Sequence, residues 1–311
     1  MAPVPAWLRR AVETSQTLED AAIASGAAIG ALDAVVRRRE RWAGVWRQRL
    51  ALAAAAATAR QAGRTEDETA LRDAVLLSRP GDDVGPAGRM LLAWRRLATR
   101  STDDLLTEAG LAAVQEELGH AGDDEAVTDL VEELGQLSTA EGVVEMLTGA
   151  FASAERHGSG RTLGSWLVDA MLAQRLGWPH AVPLLGAQPA SSGSTRGVRT
   201  KTTGLMGRDQ APGSDRVQGL LVVQARAALR AIDLSTELGR RAERLLAVAP
   251  KLRAKGADLV VEKLLSNDAV VASQKIAGMS DRGLRRLFDR LVDLGAVREL
   301  SGRTTFRIYG L

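Results

Sequence analysis

Apolar residues recur at three- and four-residue spacing through most of this 311-residue chain, the period of helices with one buried face. The spacing predicts helices over residues 5–15, 21–39 and 42–62, with Gly63 as a C-terminal cap to the third. Thr65 and Glu68 have capping-box spacing and open a helix that runs to about Ser78. Residues 79–86 hold two prolines, two glycines and the pair Asp82-Asp83, so they form a loop. Further helices follow over 87–99, from Ser101 or Thr102 to about Leu118, and over 126–137, 139–156 and 162–176.

The pattern breaks at Trp178. Residues 178–215 are rich in Pro, Gly, Ser and Thr and have little apolar periodicity, which marks a linker or long loop. Its Arg196, Arg199 and Lys201 are either phosphate contacts or solvated charges. Helical spacing returns over 217–248, with Leu220, Leu221, Ala227, Ala228, Ile232 and Leu245 as its buried stripe. Pro250 is placed to begin the next helix.

The C-terminal segment carries the sharpest signal. Leu259, Val260, Val261, Leu264 and Leu265 suit a short amphipathic helix. A second helix is expected over 269–277, then the turn Gly278-Met279-Ser280, with Ser280 as N-cap of a helix over 281–294. Leu284, Leu287, Phe288, Leu291 and Leu294 share one face of that helix, and Arg282, Arg285, Arg286 and Arg290 share the other. After Gly295, two extended segments, 296–300 and 303–309, meet at Ser301-Gly302 as a tight hairpin. Val297, Phe306 and Ile308 are expected in the core, and Arg298, Arg303 and Arg307 outside.

Helix, short helix, turn, long helix and hairpin is the order of a winged helix-turn-helix. Gln274 departs from the pattern, standing where a small residue usually lets the two helices approach. The expected fold is therefore mainly α: an N-terminal multi-helix domain, then a C-terminal winged-helix domain with one β-hairpin. The expected division is a helical domain at 1–177, a linker or long loop at 178–215, connecting helices at 216–255 and the winged helix at 256–311.

Charge sharpens this picture. Residues 216–311 carry 18 Lys and Arg against 10 Asp and Glu, whereas residues 1–215 carry 23 against 28. A basic end on an acidic body suits a phosphate-rich partner. A winged helix sets its recognition helix in the major groove of DNA. That nominates Arg282, Arg285, Arg286 and Arg290 on the helix, and Arg303 and Arg307 on the wing, as DNA-binding residues. Asp289 and Asp293 lie among them, and Arg285 with Asp289 has the spacing of a surface ion pair, so a solvated charged face is the competing reading.

The chain has no cysteine, which excludes disulfides, thiolate metal sites and cysteine nucleophiles. His120, His157 and His180 are scattered, so no metal site is expected. No phosphate-binding loop, dinucleotide fingerprint, zinc-protease motif or nucleophile elbow is present, and neither a cofactor nor an enzymatic activity is expected. Glu66, Asp67, Glu68, Asp82 and Asp83, with Arg47, Arg49, Arg64, Arg72, Arg95 and Arg96, are candidates for a buried polar network or an anion site. Capping and loop solvation explain the acids more simply. The start of the chain lacks the apolar stretch of a secretory signal, and the apolar run 50–57 is too short to span a membrane. A cytoplasmic location is expected.

The segments WRQRLALAAAAATARQAGRTEDETALRDA (46–74), RPGDDVGPAGRMLLAWRRLA (79–98) and MSDRGLRRLFDRLVDLGAVRELSGRTTFRIYGL (279–311) resemble a family of hypothetical proteins from Rhizobium-type bacteria, domain-of-unknown-function family 1403. The resemblance covers most of the chain. The C-terminal third is also similar to the helix-turn-helix tail of some Fic-like and plasmid-borne rhizobial proteins. The resemblance implies a bacterial, often plasmid-encoded, cytoplasmic protein and no particular chemistry. Two functions are expected from all of this. The first is a non-enzymatic DNA-associated protein serving regulation or plasmid or chromosome maintenance. The alternative is an interaction subunit whose winged helix docks a protein partner, or a ligand-sensing helical bundle.

Overall fold

A computed structural model describes residues 4–79, 81–120, 123–139, 141–187, 212–303 and 305–311. Within them the chain is mainly α. The N-terminal half runs through α1 (Ala6–Thr14), α2 (Leu18–Val36), α3 (Ala43–Gln61), α4 (Glu68–Leu76), α5 (Gly85–Thr99), α6 (Thr102–Leu105) and α7 (Glu108–Glu117). It continues through α8 (Asp124–Ser138), α9 (Val143–Arg156) and α10 (Gly160–Arg175). After a 3-10 turn at Leu185–Ala187 come the long α11 (Pro212–Val248), a second 3-10 turn at Ala249–Lys251, and α12 (Ala257–Ser266). The chain ends with β1 (Val270–Val271), α13 (Asp281–Asp293), β2 (Arg298–Glu299) and β3 (Ile308–Gly310).

α3 lies at the centre. Its alanine run buries Ala51, Ala54, Ala55, Ala56 and Ala59, so it is apolar on nearly every side. α4, α5, α11 and α12 all pack on it. Small side chains allow these close approaches. Gly186 is the limiting case: a Cβ there would sit 2.3 Å from the Trp94 ring and 2.8 Å from Ala54 Cβ. Indole N–H groups tie the layers together. Trp46 donates to Ala231 O at 2.8 Å, Trp94 to Thr58 Oγ1 at 3.0 Å, Trp166 to Ala93 O at 3.0 Å and Trp178 to Asp33 Oδ1 at 2.8 Å. Each of these four rings thus keeps its polar edge satisfied.

Several expected boundaries shift for local reasons. Asp67, rather than Thr65, caps α4 by accepting from Ala70 N at 2.8 Å. The helix expected from Ser101 or Thr102 to Leu118 divides at Leu106-Thr107, because the Thr107 hydroxyl accepts from Gly110 N and restarts it as α7. Residues 178–187 are irregular, as expected of a loop, but they are core. Trp178, Ala181, Val182, Leu184 and Leu185 are all buried. Asp169 of α10, wholly buried, accepts from Leu184 N at 2.7 Å and Leu185 N at 3.0 Å and holds this segment in place. Arg196, Arg199 and Lys201 lie outside the described residues.

The C-terminal segment differs more. No helix forms over 269–277. The β-branched Val270 and Val271 instead pair antiparallel with Tyr309 and Ile308, and β3 pairs on its other side with β2. The result is a three-stranded sheet in the order β1-β3-β2 rather than a lone hairpin. Residues 272–279 are turns and irregular chain, and Gln274, which has no helix to sit on, is exposed. The hairpin is also wider than Ser301-Gly302 implied. Leu300 N still donates to Ile308 O at 2.8 Å, so the connection is residues 301–307. Phe306 lies in that connection, 65% exposed, and not in the core; Leu294 is also 38% exposed.

Candidate nucleic-acid interface

Ser280 begins α13: its hydroxyl accepts from Gly283 N at 3.2 Å, and Asp281 occupies the first turn. Leu284, Leu287, Phe288 and Leu291 then turn inward. Phe288 stacks flat on Tyr309 of β3, with ring centroids 4.3 Å apart. That contact sets the helix across the sheet and leaves Arg282, Arg285, Arg286 and Arg290 exposed together on the outer face. None of the four is in an ion pair among the described residues. Asp289 lies among them, but its partner is Arg307, whose Nη1 is 3.7 Å from Asp289 Oδ1, and not Arg285.

The two arginines between β2 and β3 part company. Arg307 stays beside α13 through Asp289. Arg303 turns the other way, with Nη2 2.5 Å from Asp73 Oδ2 of α4. Neither oxygen of Asp73 receives a hydrogen bond, so this is a contact of charges rather than an aligned bond. Of the six nominated arginines, four therefore share an open face, one borders it and one is engaged with the helical body.

Lysines outside the nominated set extend the basic surface. Lys275 is exposed in the turn before α13. The Lys255 side chain passes 3.3 Å from the position a Cβ would take on Gly278, close to the N-terminus of α13. Lys251 and Arg253, also exposed, precede it. The cluster Lys251-Leu252-Arg253-Ala254-Lys255 was a visible signal in the sequence, with three bases in five residues.

The site is held in place by a buried charge cluster at its base. Asp268, wholly buried two residues before β1, accepts from Arg72 Nε at 2.6 Å and from Arg49 Nε. Burial alone would raise the carboxyl's pKa, but the charges of Arg49 and Arg72 and their hydrogen bonds outweigh it and hold it below its usual range. Arg95 lies near the same cluster. Burial lowers its pKa, the Asp268 charge opposes that, and its Nε has no hydrogen-bond partner. Arg49 and Arg241 also donate to Leu311 O, at 3.4 and 3.1 Å. Arg47 points elsewhere. It donates to Ala98 O, and burial pushes its pKa down to about 10.

The acids expected near these arginines are occupied locally. Glu66 pairs with Arg64, Asp67 caps α4, Asp82 accepts from Arg79 N, and Asp83 accepts from Gly85 N. Arg96 pairs with Glu117. The structure thus gathers Arg49, Arg72 and Arg95, but around Asp268. That residue was not singled out in the sequence, because Asn267-Asp268 looks like an ordinary helix end. Among the described residues no three His, Asp or Glu side chains stand together as metal ligands. No described helix is long and apolar enough to cross a membrane.

Over residues 1–311 the chain matches the family model of a protein of unknown function, DUF1403, and it belongs to that family. No curated protein matches it.

Proposed function

We propose that this protein is a non-enzymatic, DNA-associated protein of the bacterial cytoplasm, serving regulation or plasmid or chromosome maintenance, and that it grips duplex DNA through α13 and its wing. The observation that carries the reading is the open arginine face of α13. Arg282, Arg285, Arg286 and Arg290 are exposed and, among the described residues, without ion partners, within the first three turns of a helix packed on the sheet. Exposed, uncommitted guanidinium groups in such an array suit phosphates and guanine edges. The order α12, β1, α13, β2, β3 supports a winged helix whose short middle helix is replaced by the turns of 272–279.

The test is a polarization titration of the full chain against random duplex DNA at low and physiological salt. Binding should weaken steeply with salt. Replacing Arg285 and Arg286 together with Ala should weaken it further and reduce the log–log salt slope by about 2, since each phosphate contact contributes roughly 0.9. Unchanged affinity and slope would remove α13 from the interface.

A second reading, protein docking, draws on Val292 and Leu294, each 38% exposed at the C-terminal end of α13. It predicts a stable co-purifying partner and no appreciable duplex binding. The ligand-sensing bundle has less behind it, because most of the acids proposed for it are spent on caps and local pairs, and Arg49 and Arg72 already share the buried Asp268.

A further inference from the structure

The described residues between β2 and β3 are held at three points. Their base is closed by Leu300 N donating to Ile308 O at 2.8 Å and Ile308 N donating to Ser301 Oγ at 3.3 Å, with the Ser301 hydroxyl donating in turn to Glu299 Oε1 at 2.7 Å. On one side Arg303 is fastened to Asp73 of the helical body, and on the other Arg307 leans on Asp289 of α13. Between these two anchors Phe306 projects into solvent, 65% exposed, with its backbone in the left-handed region at φ 54°.

A single exposed apolar side chain needs no explanation. A large aromatic held in a conformation that a Cβ resists, on a loop braced at both shoulders, is a stronger observation. The fold leaves most of Phe306 in solvent, and the next residue, Arg307, reaches Asp289 among the exposed arginines of α13. The arginines select a polyanion, and an exposed aromatic ring next to them adds a surface for stacking; a polyanion with stackable flat groups is nucleic acid.

We propose that Phe306 is a wedge that enters the minor groove of duplex DNA beside the major-groove site of α13 and partly unstacks one base step. Aromatic and aliphatic wedges act in this way in minor-groove binders, bending the duplex onto the protein surface. The proposal rests on the DNA reading above. Arg303, tied to Asp73, sets the reach of the loop, and Phe306 makes the contact.

The test uses the full chain and an alternating A·T duplex in which 2-aminopurine replaces adenine at spaced positions, since such steps unstack readily. Affinity is read by polarization and unstacking by 2-aminopurine fluorescence. Wild-type binding should raise the fluorescence. Phe306→Ala should abolish the rise and weaken affinity about five- to tenfold with an unchanged salt slope, because no charge is lost. Phe306→Trp should keep the rise. Phe306→Gly should lose the rise yet melt at or above the wild-type temperature, because glycine adopts the left-handed backbone freely.

A wild-type chain that binds without a fluorescence rise overturns the wedge and leaves the DNA reading standing. A rise retained by Phe306→Ala does the same. A lower melting temperature for Phe306→Gly assigns Phe306 to the fold and overturns the wedge. No duplex binding by the wild type overturns both readings, and a co-purifying protein released by Phe306→Ala would replace the wedge with a protein contact.

Discussion

Arg72 Nε donates to Asp268 Oδ2 at 2.6 Å, joining α4 to the lead-in to the C-terminal sheet, 196 positions away in the chain. Asp268 is wholly buried, and Arg49 bonds its other oxygen. The basic module is therefore bolted to the helical body through one carboxylate shared by two guanidinium groups.

Asp268→Asn keeps the shape and removes the charge. It leaves Arg49 and Arg72 without their shared counter-ion, and the expected loss is about 3–5 kcal/mol, as for other broken buried pairs. The folded carboxyl has a depressed pKa. Its stabilisation is thus full above the unfolded value, near about 3.9, and is lost as pH falls from there through the folded value. Melting curves should show the gap between wild type and Asp268→Asn closing below about pH 4. A gap constant across that window would mean Asp268 is not the stabilising charge.

Asp169 should show the opposite sign. Burial pushes its carboxyl up to about 8, more than the two backbone N–H groups of Leu184 and Leu185 pull it down. The folded state then holds a proton that the unfolded state releases, so this contribution weakens as pH rises from about 4 to about 8 and levels off beyond. The slope approaches roughly 1.4 kcal/mol per pH unit at most. Asp169→Asn, which keeps an oxygen for the two amides, should lack that slope. Parallel pH profiles for the two proteins would show that Asp169 stays ionised.

The six nominated arginines should not behave alike. Arg303→Ala leaves Asp73 without this ion partner and should cost up to about 1 kcal/mol of stability, because Arg303 is half exposed. Its direct effect on the salt slope of duplex binding should be near zero, because Arg303 is already committed. Arg285→Ala should do the reverse, lowering the slope by about 0.9 with little change in melting. Equal slopes lost by both variants would place Arg303 on phosphate.

Gly44 marks where α3 meets the end of α12. A Cβ there would lie 2.8 Å from both Cα and O of Ser266, which is backbone and cannot swing aside. Gly44→Ala should cost about 1–3 kcal/mol through overpacking. Hydrogen exchange should show that cost as faster exchange in α12 and the sheet. Exchange unchanged there would mean that the two helices separate without loss.

Local physics made much of this protein readable from its sequence. The apolar periods of α2, α3 and α5, the Ser280 cap and the two faces of α13 each depend on residues within a few positions of one another. They stand in the structure as that spacing requires. The four exposed arginines of α13 were legible for the same reason. The charge asymmetry and the absence of cysteine needed no structure at all.

Tertiary contact decided the rest. Residues 269–277 have a composition that fits a helix, but β3 offered Val270 and Val271 a pairing partner nearly forty positions downstream, and ladder bonds outweigh a weak local preference. Residues 178–187 look like a linker by composition. They became core because Asp169 accepted from the amides of Leu184 and Leu185 while Trp178, bonded to Asp33 of α2, and Leu184 were buried. Asp268, Asp73 and Phe306 owe their roles to neighbours from other parts of the chain. A sequence shows which side chains can bear charge or stack. Which of them are buried, paired or left facing outward is set when distant segments close on one another, because burial and pairing are properties of the assembled surroundings.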